Sequence, residues 1–81
     1  MKRDTIYKAI RKLEIDQIEA MTIADVLANE DDDKTRAWLD MAMGDTFTDS
    51  AMQNGVTRRS LFRFRKKIEK KAKKMLPTRP K

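Results

Sequence analysis

Arg58, Arg59 and Arg63 stand in a stretch with no acid between Ser50 and Ile68, and Phe62 sits among them. A guanidinium offers paired N–H donors in a fixed fork, the geometry that meets guanine O6 and N7 or clamps a phosphate. Phe62 supplies the apolar surface that can meet a thymine methyl or a neighbouring helix. Thr57 is placed to anchor a backbone phosphate, and Thr48 and Ser60 complete the hydroxyls of the candidate set. Lys66, Lys67, Lys70 and Lys74 follow, among Arg65, Lys71 and Lys73, and would meet phosphates along a groove edge, giving affinity without sequence. A merely solvated helix face usually mixes both signs, whereas here one acid, Glu69, interrupts the run.

Such side chains need a scaffold that presents them. Ala51, Gly55, Val56, Leu61 and Phe64 fall at the offsets of a helix, a tight turn and a second helix. Thr48-Asp49-Ser50 is expected to cap and open the first helix, Gly55 to end it with φ > 0, Val56 to plug the turn and Thr57 to cap the second. Leu61, Phe64 and Ile68, continued by Ala72 and Met75, are spaced for one buried stripe, with Arg58, Arg59 and Arg63 on the solvent side. Ala51 belongs where the helices cross. Ser50 and Asn54 occupy offsets where an apolar residue commonly packs, and Met52 is expected to compensate in part.

Upstream, Asp4-Thr5 is expected to cap a helix with Ile6, Ile10 and Leu13 on its apolar face. A break near Ile15-Asp16 separates it from a second helix over 16–29, where Ile18, Met21 and Val26 or Leu27 keep helical spacing and Thr22-Ile23-Ala24-Asp25 has the form of a capping box. Asn29 to Asp33 reads as a loop, with Asp33 capping the helix that carries Trp38 and Gly44 ending it. Leu76-Pro77 stops the last helix, and Arg79, between two prolines, is positioned to reach a minor groove. The expected fold is all-α: a small bundle of four to five helices with a C-terminal helix-turn-helix and a long basic last helix. It forms a single domain over 1–81. Within it, 1–43 is a helical oligomerisation or partner-binding part, 44–76 the DNA-binding part and 77–81 a flexible basic tail. The expected core is Trp38, Leu39, Phe47, Leu61, Phe64 and Ile68 with methionines and alanines.

The net charge of +6 is divided by segment. Residues 1–13 carry five cations against Asp4, residues 14–49 carry eleven acids against Lys34 and Arg36, and residues 50–81 carry twelve cations against Glu69. A field of that shape steers a polyanion to the C-terminal third and turns the acidic middle away. The 81 residues contain no His and no Cys, so the usual general bases and nucleophiles are missing and an enzyme is not expected. Neither a disulfide framework nor a thiolate metal site can form. Glu30 to Asp33 lacks the spaced pattern of a calcium loop. The two glycines have turns to make and leave none for a phosphate cradle. No metal, cofactor or membrane association is expected, and a cytoplasmic protein is the simplest reading.

Arg36-Ala37-Trp38-Leu39, then Gly44-Asp45-Thr46-Phe47-Thr48-Asp49-Ser50-Ala51, then Asn54-Gly55-Val56-Thr57-Arg58-Arg59-Ser60-Leu61 and a basic helix together resemble the fourth conserved region of bacterial sigma factors. They also resemble the small phage transcription regulators that share this module. The resemblance covers roughly the C-terminal half, and it implies that Thr57, Arg58, Arg59, Phe62 and Arg63 enter the major groove. There is no room here for promoter-melting regions, so the expectation is an accessory or stand-alone regulator that binds double-stranded DNA sequence-specifically. Residues 1–43 are then expected to dimerise, or to contact a protein such as RNA polymerase. Three alternatives stay open: a DNA-holding packaging or replication accessory of the small-terminase kind, an arginine-rich RNA-binding helix of the antitermination kind, and an inhibitor presenting the acidic middle as a DNA mimic.

Overall fold

Five helices account for the chain in the computed structural model, which describes residues 1–75: α1 (Arg3–Ile10), α2 (Gln17–Ala28), α3 (Asp32–Ala42), α4 (Phe47–Gln53) and α5 (Arg58–Met75). The expected stop at Leu76 and the basic tail over 77–81, with Arg79, lie outside the described residues. No strand occurs among the described residues.

Apart from α1, the helices start where a short polar side chain can reach the exposed N–H groups of the first turn; α2 keeps its expected extent, and the caps of α1 to α4 differ from those expected. α2 is capped by Asp16, whose carboxylate accepts from Ile18 N at 3.0 Å and Glu19 N at 3.4 Å. The Thr22 to Asp25 segment is therefore helix interior, and Thr22 donates its hydroxyl to the Ile18 carbonyl instead of capping. α3 is capped by Asp31, which accepts from Lys34 N at 3.1 Å. Asp33 lies in the first turn beside Asp32, where negative charge suits the positive end of the helix. α4 is capped by Thr46, which accepts from Asp49 N at 3.1 Å, so the Thr48-Asp49-Ser50 segment is already helical. α1 begins one residue before Asp4, and its N-cap, Lys2, makes no side-chain cap bond.

Both expected glycine stops are present. Gly44 has φ +110° and Gly55 φ +68°, and each follows a helix closed by paired backbone bonds. Asp45 N donates to the Asp40 carbonyl and Gly44 N to the Met41 carbonyl; Val56 N donates to the Ala51 carbonyl and Gly55 N to the Met52 carbonyl. These are Schellman closures, which need a left-handed residue at one position and favour glycine there.

One hydrophobic cluster draws on all five helices. α5 is the common partner, packing on α2, α3 and α4, while α1 packs on α2 and α3 and α4 pack on each other. Ile6 and Ile10 of α1 are fully buried in this cluster, so the N-terminal stripe is satisfied within the chain and supplies no reason for a dimer. α2 buries Ala20, Ile23, Ala24 and Leu27, one i, i+3, i+4, i+7 stripe, together with Val26. Ile18 and Met21 fall on its opposite side and are exposed, contrary to expectation. Leu13, Trp38 and Phe47 are half-buried rather than core. The Thr35 hydroxyl, fully buried, donates to the Leu27 carbonyl and ties the end of α2 to α3.

Candidate nucleic-acid interface

Leu61, Phe64, Ile68 and Ala72 root α5 in the core at the expected spacing, while Met75 is exposed past the end of that stripe. The N-terminal end of α5 is fixed by Thr57, whose Oγ1 accepts from Ser60 N at 3.1 Å and donates to Ser60 Oγ at 2.9 Å. Both hydroxyls are thus engaged in the cap. No acid stands in the first turn, so Arg58 and Arg59 add their charge to the positive end of the helix.

The helix before α5 is fixed by burial of Ala51 and by hydrogen bonds from Asn54. Ala51 is fully buried. Asn54, read in the sequence as a misplaced polar residue, is an anchor: its Nδ2 donates to Asp40 Oδ2 and to the Ser50 carbonyl, both at 2.8 Å, and fastens the end of α4 to α3. Ser50 is fully buried with its hydroxyl unpartnered among the described residues. Met52 is 73% exposed and compensates for neither.

Phe62 is 48% exposed, in edge contact with Phe47 at 6.3 Å between ring centroids, and Lys66 Nζ lies over its ring at 4.5 Å. Phe47, Arg58, Arg59 and Phe62 line an open cleft at the mouth of the turn. Thr48 is exposed on α4 but is not part of this cleft.

The cations of α5 divide into three lanes. Arg65 donates to Glu69 at 3.3 Å, a neutralised pair on the flank facing Trp38. On the other flank Lys67 and Lys71 reach Glu30 at 2.8 and 3.2 Å. Between the flanks run Arg59, Arg63, Lys66, Lys70 and Lys74, recurring at i, i+4, i+7, i+11 and i+15, all exposed and with no ion-pair partner among the described residues. By helix rise this stripe is about 22 Å long. Arg58 and Lys73 are exposed and unpaired in the same sense.

Of the candidate contacts, Arg59, Arg63, Lys66, Lys70 and Lys74 share the outward stripe of α5, while Arg58 and Phe62 line the cleft with Arg59 and Phe47. Lys67 stands apart because it belongs to the Glu30 pair. Sequence reading placed Glu30 in a solvated loop. It does lie in the loop between α2 and α3, but its side chain is only 8% exposed, and the Lys67 hydrogen bond, helped by Lys71 and opposed by burial, holds its carboxyl below the usual range. No local pattern announces a pair 37 residues apart. The only available signal was the excess of acid in the middle segment against base in the last. The other acids of that cluster are engaged as well, Asp31 in the α3 cap and Asp33 with Arg36 at 3.2 Å, while Asp32 meets the Met1 amino group. No set of three or more acidic side chains among the described residues is placed to hold a metal ion. No helix among them is long and apolar enough to cross a membrane. Comparison with known proteins finds no matching family model, no similar curated protein and no similar solved structure.

Proposed function

We propose that the chain is a sequence-specific double-stranded DNA-binding protein, a small transcription regulator in which α4, the Gly55 turn and α5 act as a helix-turn-helix and α5 is the recognition helix. The observation that carries this reading is the lane of unpaired cations from Arg59 to Lys74 on a helix whose opposite face is fully rooted in the core. A cation stripe of one sign, beginning at a positive helix terminus, fits the phosphate-lined major groove. In this role Arg58, Arg59 and Arg63 read base edges or clamp phosphate, Phe62 presents its free edge to a thymine methyl, and Lys66, Lys70 and Lys74 meet the backbone.

The RNA-binding alternative is weaker on physical grounds. Arginine-rich peptides of that kind order on binding, whereas α5 is already packed through Leu61, Phe64, Ile68 and Ala72. The acidic-mimic alternative is opposed by the pairing of Glu30, Asp32 and Asp33 with cations of the same chain and by the use of Asp31 as a helix cap.

The test is selection of bound duplexes from a random pool, followed by titration of the selected site. Arg58→Ala, Arg59→Ala or Arg63→Ala should each cost about 1 to 3 kcal/mol where the side chain reads a base, with relaxed preference at that position. Binding and sequence preference left intact by all three changes would exclude α5 as the recognition helix.

A further inference from the structure

We propose that Glu30 confines the polyanion footprint to one lane of α5 by withholding Lys67 and Lys71 from it. The inference rests on the duplex-binding reading and deepens it, naming the residue that limits phosphate contact at that same surface.

Glu30 lies in the turn between α2 and α3, and its side chain is only 8% exposed. Both of its oxygens are used: Lys67 Nζ reaches Oε1 at 2.8 Å and Oε2 at 3.1 Å, and Lys71 Nζ reaches Oε1 at 3.2 Å. The two lysines are one turn apart on α5 and so meet the carboxylate together. A phosphate competing for either ammonium must leave the carboxylate of this largely buried side chain with one partner or none, which is costly in a way that loss of an exposed ion pair is not. Arg65 and Glu69 form the exposed kind of pair on the opposite flank, each about half exposed. Glu30 is therefore the stricter boundary of the two. It acts as a positioning residue through Lys67 and Lys71, leaving the lane of Arg59, Arg63, Lys66, Lys70 and Lys74 as the surface a duplex can cover.

The consequence is read in the salt dependence of binding, because each phosphate neutralised contributes about 0.9 to the slope of log affinity against log salt. The probe is a 25-base-pair duplex titrated at several salt concentrations. In the wild-type background, Lys66→Gln with Lys70→Gln should flatten the slope by about 1.8, while Lys67→Gln with Lys71→Gln should leave it unchanged. Glu30→Gln should do the reverse of damage. Two lysines are released, the slope steepens by up to about 1.8, and the affinity gain over wild type shrinks about tenfold between 50 and 200 mM salt. Base preference should not change, since the added contacts are to phosphate.

An equal loss of slope in the two lysine pairs would overturn the role given to Glu30 while leaving duplex binding in place. Weaker binding by Glu30→Gln with an unaltered slope would also overturn it, reducing the residue to a structural tie. No binding of any duplex by the wild-type protein would instead overturn the functional reading itself, and the footprint with it.

Discussion

Ser50 is the residue at which the α4–α5 junction departs most from what packing would ask. Its side chain is fully buried beside Ala51, and its hydroxyl finds no partner among the described residues. A buried hydroxyl without a hydrogen bond carries a desolvation cost that an alanine methyl does not. Ser50→Ala should therefore raise the unfolding free energy by about 1 kcal/mol, read from denaturant titration, with the helical signal unchanged. A fall in stability would mean that the hydroxyl is bonded. Asn54, flagged in the sequence for the same reason as Ser50, has the opposite standing, since both of its bonds are made and it fixes α4 to α3. Sequence spacing could mark both positions as irregular. It could not tell which irregularity is satisfied, because Asp40 enters from another helix.

α5 is held by two kinds of force that differ in their response to pH. Its apolar stripe was legible from the i, i+3, i+4 spacing of Leu61, Phe64 and Ile68, and that contribution does not titrate. The Glu30 attachment was not legible, since nothing near residue 30 points to residues 67 and 71, and it does titrate. Lys67 and Lys71 hold the Glu30 carboxyl below its ordinary value in the folded chain. The stability it contributes is accordingly full above about pH 4.3, the unfolded-chain value for glutamate, and is lost as pH falls through the lower folded value. Wild type and Glu30→Gln should thus differ most at pH 7 and converge toward pH 3 when denaturation midpoints are compared. Parallel curves across that range would show that the pair does not support α5. Helix starts were the other weak point of sequence reading. Asp31 and Thr46 cap α3 and α4 two residues before Asp33 and Thr48, and Asp16 caps α2 in place of the Thr22 to Asp25 box. In a run such as Asp31-Asp32-Asp33 several residues have capping chemistry, and the path of the chain entering the helix decides among them.

Across the whole molecule the helical class and the two glycine corners were readable from periodicity and from Gly44 and Gly55, whose left-handed backbone closes α3 and α4. The partition of apolar residues was less so. The apolar stripe of α1 is covered within the chain, and on α2 Val26 and Leu27 are buried while Ile18 and Met21 are not, because a helix packed between α1 and α5 buries small residues such as Ala20 and Ala24 that carry little signal. α2 is nonetheless the element that joins α1 to α5. Leu27 is fully buried in the cluster shared by all five helices, and its carbonyl accepts from Thr35 of α3. Leu27→Ala removes three carbons from that core and should lower stability by about 2 to 5 kcal/mol. Because α1 and α5 both pack on α2, the loss should be felt at once throughout. The helical circular dichroism of the whole chain and the fluorescence of Trp38, which sits on α3 against α5, should disappear at one and the same lowered denaturant concentration. If Trp38 kept its native emission while helicity fell, residues 1–28 and the α3–α5 part would be separate folding units, and the lane of cations on α5 would not need α2 behind it.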